Sequence, residues 1–231
     1  MYIKFKYLVI IISFIICVSS CQTIKYLKLS SDKWAIEYSQ KDEIQAKEVS
    51  KLLDKKYSNI IKFLNPEFNK KITIKIYPDL QSFNDARSIF GISQGKPNGG
   101  NSVGSTRIML VASNIYDTAI HELTHLVIYS FAGSPNRNSW INESICYYLG
   151  EQKYGSVRYL KLYYKEHNYF NSFSQDQYYT KTLYYMGQYI FDHYSNEQIK
   201  KLITSQSVDS ALGINSKKYW ESWCNWVENI T

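Results

Sequence analysis

The chain has 231 residues, of which 45% are hydrophobic and 20% are charged, and its formal net charge at pH 7 is +7. This composition fits one globular domain and excludes a disordered chain or a repeat array. The lysines are scattered among acidic residues rather than gathered in one stripe, so the positive charge does not indicate nucleic-acid binding.

The N-terminal segment has the order of a secretory signal. Lys4 and Lys6 precede an apolar run over residues 7–18, and small residues follow it. The run is shorter than the roughly 20 residues that a transmembrane helix needs. The tetrapeptide at 18–21, Val-Ser-Ser-Cys, resembles a bacterial lipobox. In such signals the chain is cut before the cysteine and the sulfur is lipidated, which implies Cys21 as the membrane anchor.

These features divide the chain into three parts: a signal peptide at 1–20, a lipidated cysteine and tether at 21–33, and a folded domain at 34–231. The mature chain would keep 25 basic and 20 acidic residues. We therefore expect an extracytoplasmic lipoprotein on the membrane, either at the cell surface or in a periplasm. The alternative is ordinary secretion, with Cys21 at this position by chance.

Two cysteines, Cys146 and Cys224, would remain in the mature domain besides Cys21. An oxidising exterior permits a disulfide between them. Two unpaired thiols that act as small apolar side chains are the alternative. Neither cysteine is assigned a catalytic role.

The first half of the domain reads as a mixture of helices and strands. Apolar residues at helical spacing predict an amphipathic helix over 42–64. Alternation predicts a strand over 71–77, and a short helix follows at 83–90. Residues 91–104 contain five of the ten glycines and predict a loop, which leads to an edge strand over 107–111.

The second half reads as mainly helical. Asp117 can cap a helix that runs to about Phe131, and Gly133 and Pro135 can end it. A second helix begins near Trp140. Further helices are predicted over 183–194, 196–203 and 220–226.

The predicted helix after Asp117 carries the motif His-Glu-Leu-Thr-His at residues 121–125. Histidines at positions i and i+4 project from one helix face, so His121 and His125 can reach one zinc ion. Glu122 lies beside them and can accept a proton from a water molecule activated by the metal. The alternative is a helix that carries two histidines by chance.

A catalytic zinc ion has three protein ligands and one water, so the motif predicts a third donor downstream. Glu143 at the start of the next predicted helix is well placed, because an antiparallel helix can return its side chain to the metal. A glutamate in a first turn is also favoured by the helix dipole, and the two interpretations are compatible.

With these residues the sequence resembles the gluzincin metallopeptidases, in particular the peptidase MA-like domains that combine HExxH with a later aromatic-x-x-Glu helix. The resemblance implies an α/β (α+β) zincin-like domain, with a small mixed sheet, an edge strand over the active-site helix and a mainly helical C-terminal half. In this family the edge strand binds extended peptide by β-pairing. The implied substrate-binding residues here are Arg107, Ile108, Met109, Leu110 and Val111.

The resemblance also implies a catalytic tyrosine. Aminopeptidase-like gluzincins carry Tyr-x-x-Gly at the start of a later helix, where the hydroxyl stabilises the oxyanion, and Tyr184 to Gly187 match this pattern. The chain contains 22 tyrosines, so a core aromatic is the alternative. Tyr185 or His167 could also hold the role.

Two positions depart from the family pattern. Ser144 stands where many relatives have glycine after the ligand glutamate, and Tyr147 stands where some have an acid that orients a histidine. Asn142 is a candidate for that orienting role. We expect zinc-dependent hydrolysis of a peptide or protein substrate. The alternative is a surface binding lipoprotein with this fold and little turnover, whose recognition surface would be the tyrosine-rich segment 154–194.

Overall fold

The computed structural model describes residues 24–92, 99–133, 139–166 and 179–230. The predicted signal peptide, the lipidation site at Cys21 and the candidate His167 lie outside the described residues. Within the described ranges, no helix is both long enough and apolar enough to cross a membrane.

The described strands are β1 (Tyr26–Ser30), β2 (Trp34–Ser39), β3 (Ile72–Tyr77), β4 (Gly100–Val103) and β5 (Arg107–Val111). The described α-helices are α1 (Glu43–Leu64), α2 (Leu80–Ile89), α3 (Ile115–Ala132), α4 (Trp140–Leu149), α5 (Val157–Glu166), α6 (Tyr179–His193), α7 (Asn196–Ser205), α8 (Val208–Leu212) and α9 (Ser216–Asn229). The predicted mixed α/β class, with a small mixed sheet followed by a mainly helical half, is confirmed.

The sheet has the strand order β1-β2-β3-β5-β4. The three central strands are parallel, whereas β1 and β4 pair antiparallel with their neighbours. The prediction that Arg107–Val111 is the edge strand is therefore wrong. Both sides of β5 are occupied by β3 and β4, so its backbone cannot pair with a peptide. Among the described strands, β4 lies at that edge.

Alternation along the strands places two apolar layers on opposite faces of the sheet. Ile74, Ile76 and Ile108 belong to the main core, which also includes α1 and α3. Tyr77 and Met109 point the other way and pack with Phe83 of α2. The helix that carries the HExxH motif thus packs on one face of the sheet and α2 on the other.

The folded part begins earlier than residue 34. Tyr26–Ser30 form β1 along β2, so the prediction of a tether up to residue 33 is wrong for this segment. This segment forms a strand because apolar residues alternate with polar ones over a short stretch. Leu27 and Leu29 pack against the core. The predicted loop at 91–104 likewise contains a strand, because Gly100–Val103 pair with β5.

Helix α3 is the central helix of the domain. It begins at Ile115, so Asp117 lies in its first turn. The prediction that Asp117 caps this helix is therefore wrong. Residues 118–128 are all buried. Ile120, Leu123 and Val127, at positions i, i+3 and i+7, form one apolar face of α3 in the main core, and the residues of the motif on the other sides of the helix are buried as well. The two motif histidines are therefore enclosed in the core.

The helical half is built by close packing of α4 on α3 and α6. Gly187 in α6 allows this approach, because a Cβ there would lie 2.2 Å from the backbone oxygen of Ser144 in α4. The glycine of the Tyr-x-x-Gly match thus has a packing role. Cys146 in α4 and Cys224 in α9 are both free thiols, so they do not form a disulfide with each other.

Candidate metal centre and active site

Two histidines one turn apart on α3 direct the same ring atom to one point. The Nε2 atoms of His121 and His125 lie 3.0 Å apart, and the ring centroids lie 4.7 Å apart. Both side chains are buried. The geometry that the i, i+4 spacing predicts is therefore present, inside the protein rather than on its surface.

Glu143 on α4 meets both histidines. One carboxylate oxygen, Oε2, lies 3.5 Å from Nε2 of His121, and the other, Oε1, lies 3.3 Å from Nε2 of His125. The side chain of Ser139 caps α4 by accepting a hydrogen bond from the backbone N–H of Asn142, which fixes the start of this helix. The structure thus brings together the three residues predicted as metal ligands.

The spacing of these donors fits a zinc ion. Zinc binds histidine nitrogen and carboxylate oxygen at about 2.0–2.2 Å, so neighbouring ligand atoms in a tetrahedron are about 3.3–3.5 Å apart. Here the two Nε2 atoms lie 3.0 Å apart, and each of them has a different carboxylate oxygen of Glu143 at 3.5 or 3.3 Å. Two imidazoles and one carboxylate are also a donor set that zinc accepts in catalytic sites. The side chains of His121, His125 and Glu143 therefore fit a zinc ion as a donor set.

The buried environment keeps His121 ready to bind a metal. Burial lowers the pKa of His121 to about 4, although the carboxylate of Glu143 and the hydrogen bond that the His121 ring donates to Gln152 act in the opposite direction. The ring is therefore neutral near pH 7, and a neutral imidazole is the form that binds a metal ion.

Gln152 was missed by sequence reasoning. Its side-chain oxygen lies 2.8 Å from Nδ1 of His121, and the residue is buried. Asn142, the candidate from sequence for this orienting role, accepts a hydrogen bond from Gln206 through its side-chain oxygen. Tyr147 stands where some gluzincins have an acid. In this chain its ring packs edge-on against that of His121, with ring centroids 5.0 Å apart.

Cys146 is a second residue that the sequence did not assign to the site. Its sulfur and ring nitrogens of His121 and His125 all lie within 4.8 Å of one another. Burial raises the pKa of its thiol, and the carboxylates of Glu143 and Glu122 raise it further. The signal for it was its position three residues after Glu143, which puts both side chains on the same side of α4.

Glu122 is buried and directed towards the edge strand. A Cβ on Gly100 of β4 would lie 3.0 Å from Cγ and 3.3 Å from Oε1 of Glu122. The backbone of β4 therefore lies directly against the side chain of the predicted general base. The substrate-docking role predicted for Arg107–Val111 is not available to β5, whose two sides are paired.

Tyr184 lies in an aromatic cluster at the junction of α4 and α6. Its ring contacts those of Tyr148 and Tyr185, at centroid distances of 5.5 and 5.4 Å, and the amine of Lys153 lies 5.8 Å from its centre. The hydroxyl of Tyr185 donates a hydrogen bond to the backbone oxygen of Gly155. These contacts describe packing, and the catalytic role of Tyr184 stays a prediction.

No protein-family model matches the chain, and a search of curated proteins finds no significant match.

Proposed function

We propose that this chain is a zinc-dependent peptidase of the gluzincin type with a zincin-like fold. The observation that supports it best is the convergence of His121, His125 and Glu143, whose donor atoms are 3.0–3.5 Å apart. A buried carboxylate, Glu122, stands next to this donor set in the sequence and in α3. A metal centre with an adjacent base is the arrangement that hydrolysis of a peptide bond requires.

In the proposed mechanism His121, His125 and Glu143 hold the metal. When bound, zinc supplies a Lewis acid that polarises the scissile carbonyl and lowers the pKa of water. Glu122 accepts a proton from the attacking water and returns it to the nitrogen of the leaving amine. Tyr184 is the proposed hydrogen-bond donor to the oxyanion.

The proposed substrate is an extended peptide or protein segment that adds to β4. Among the described strands, β4 has a side that no strand occupies, and strand addition uses such an edge. Gly100 offers no side chain that would separate the edge from Glu122. A peptide bound along β4 would therefore have its backbone close to the base.

The proposed location is outside the cytoplasmic membrane, with a lipid on Cys21 as the anchor. This part of the proposal depends on the sequence of residues 1–21, where an apolar segment precedes small residues and the cysteine. No nucleic-acid partner is proposed.

The rival function, a surface binding lipoprotein, depends on the tyrosine-rich segment 154–194. In the part of this segment that the structure describes, Tyr163, Tyr185 and Tyr189 are buried and belong to the core. These three rings cannot form a recognition surface. Tyr154 and Tyr159 of the same segment are exposed, so a recognition surface would have to be built from them.

Peptide profiling of the full chain, purified in detergent, tests the proposal. We expect cleavage within a diverse peptide library that stops with a chelator and returns with zinc. The matched control is Glu122→Gln, which keeps the shape of the side chain but cannot accept a proton, and its turnover should fall by about 10²–10⁴. Zinc binding without cleavage by the wild type, or full cleavage by Glu122→Gln, would reject the proposed mechanism.

A further inference from the structure

The turn after α4 presents one buried amide to the metal-binding helix. The side-chain oxygen of Gln152 lies 2.8 Å from Nδ1 of His121, and its side-chain nitrogen donates to the hydroxyl of Tyr154 at 3.4 Å. Gln152 is 5% exposed. Both ends of the amide therefore have partners, which fixes its orientation.

The turn that carries Gln152 is constrained from several directions. Glu151 adopts a positive φ of 58°, which is unfavourable for a residue with a side chain. The backbone N–H of Gln152 bonds to the oxygen of Tyr147 at 2.9 Å, and Lys56 of α1 forms an ion pair with Glu151. The backbone hydrogen bond and the ion pair stabilise this turn and hold Gln152 in one position.

The turn that begins at Gly150 also lies against α3. A Cβ at Gly150 would lie 2.9 Å from the backbone oxygen of Cys146 and 3.5 Å from the backbone nitrogen of His121. The turn therefore contacts the backbone of His121 as well as its imidazole ring. The turn also packs against the backbone of α3 at this residue.

The chemistry of this contact determines which nitrogen of His121 is free. An amide oxygen only accepts hydrogen bonds, so the proton of the neutral ring must be on Nδ1. The lone pair is then on Nε2, the atom that faces His125 and Glu143. A partner of this kind also raises the basicity of a metal-binding histidine, and a charged carboxylate raises it more than a neutral amide.

We propose that Gln152 is a positioning residue that fixes the Nδ1–H form of His121, and that its neutral amide keeps the zinc affinity below the value that a carboxylate would give. This inference rests on the proposed metal centre. It extends that proposal because it assigns to one residue both the proton position on His121 and the strength of metal binding.

The test compares Gln152→Ala and Gln152→Glu with the wild type in the full chain. Zinc affinity is measured by competition with a chromophoric chelator. Loss of such a partner typically changes affinity by 10- to 100-fold, so we expect Gln152→Ala to bind zinc about 10- to 100-fold more weakly. Gln152→Glu should bind zinc more tightly than the wild type. Circular dichroism and thermal melting show whether each variant is folded.

A second readout needs no metal. The ¹⁵N shifts of His121 in zinc-free, histidine-labelled protein report which nitrogen carries the proton. We expect Nδ1–H in the wild type and in Gln152→Glu, and a shift towards Nε2–H in Gln152→Ala. Tyr154→Phe is the matched control, because it removes the outer hydrogen bond of the amide and leaves the contact with His121. Its affinity should change less than that of Gln152→Ala.

The failures of the two proposals are distinguishable. Unchanged affinity and an unchanged proton position in Gln152→Ala would overturn the role of Gln152, even if the wild type cleaves peptides. A Gln152→Glu variant that binds zinc no more tightly than the wild type would overturn the proposal that the neutral amide lowers the zinc affinity relative to a carboxylate. A wild type that binds no zinc would reject the proposed function, whereas the ¹⁵N measurement would still decide the proton position.

Discussion

Gly100 and Glu122 approach each other so closely that a Cβ on the glycine would lie 3.0 Å from Cγ of the glutamate. The same Cβ would lie 3.2 Å from a side-chain carbon of Leu110. Any side chain at position 100 must therefore displace the proposed base or the edge strand. The contact links the proposed docking strand to the proposed proton acceptor.

We expect Gly100→Ala to keep zinc and to lose turnover by about 10- to 100-fold, because a small displacement of a catalytic group has effects of this size. Steady-state kinetics on a cleaved peptide measure the loss in kcat and kcat/KM. The control is Val103→Ala in the same strand, since Val103 packs on the opposite face of the sheet against the cluster around Phe83. Equal losses in both variants would indicate a general weakening of β4.

Substitution of the donors should identify which third residue holds the metal. We expect His125→Ala and Glu143→Ala to be strongly depleted of zinc, because each removes one of three ligands. Cys146→Ser is the comparison, since its sulfur is near the same histidines. It should keep one zinc per chain in metal analysis. Depletion in Cys146→Ser with full zinc occupancy in Glu143→Ala would assign the third ligand to the cysteine.

The stability of the zinc-free protein should depend on pH through His121. Its pKa is about 4 in the folded chain, below its ordinary value of 6.5. Between these values the unfolded chain binds a proton that the folded chain does not. The free energy of unfolding from this group is fully present above about pH 6.5 and falls as the pH drops towards about 4, by up to about 1.4 kcal/mol per pH unit.

Urea unfolding of the zinc-free protein at pH 7 and pH 5 measures this effect. His121→Gln lacks the group, so its free energy of unfolding should decrease less between the two pH values than that of the wild type. Titrating groups that do not interact with His121 contribute equally to both proteins and cancel in the comparison. The same decrease in both proteins would show that His121 does not titrate as described.

The membrane anchor is tested by Cys21→Ser. The segment before Cys21 is too short to span a bilayer, so a lipid on the sulfur would be needed for retention. We expect the variant to lose incorporation of labelled lipid and to leave the membrane fraction. Retention and labelling equal to those of the wild type would exclude Cys21 as the lipidation site.

Local patterns in the sequence were sufficient to predict α1, β3 and the two helices of the candidate metal centre. The periodicity of these segments is strong, and the i, i+4 spacing of the histidines in HExxH places both on one face of a helix. Glu143 could be predicted because a third ligand is a chemical requirement. These predictions depend on residues close together in the chain.

The remaining features depend on contacts that sequence patterns do not encode. Gly100–Val103 form the edge strand because β5 pairs with them, although glycine and asparagine disfavour strands. Gln152 contacts His121 from a turn in which Glu151 adopts a left-handed conformation. Neither the choice of edge nor this turn follows from the local composition. The edge position of β4 and the partner of His121 were therefore found only in the structure.

Tyr184 is the proposed hydrogen-bond donor to the oxyanion. If its hydroxyl donates to the oxyanion, Tyr184→Phe should keep zinc and lose turnover by about 10²–10³, the usual effect of removing one such donor. Because the interaction forms mainly in the transition state, the loss should appear in kcat and kcat/KM together and leave KM nearly unchanged.

Tyr185→Phe is the matched control for Tyr184→Phe, because the hydroxyl of Tyr185 donates to the backbone oxygen of Gly155 and its ring packs against that of Tyr184. We expect this variant to lose about 1 kcal/mol of stability and to retain its rate per folded molecule. Thermal melting beside kinetics separates the two effects. His167→Ala completes the series. Full activity in Tyr184→Phe together with loss of turnover in His167→Ala or Tyr185→Phe would mean that Gly187 serves only the packing of α6 on α4 and that the oxyanion donor is another residue.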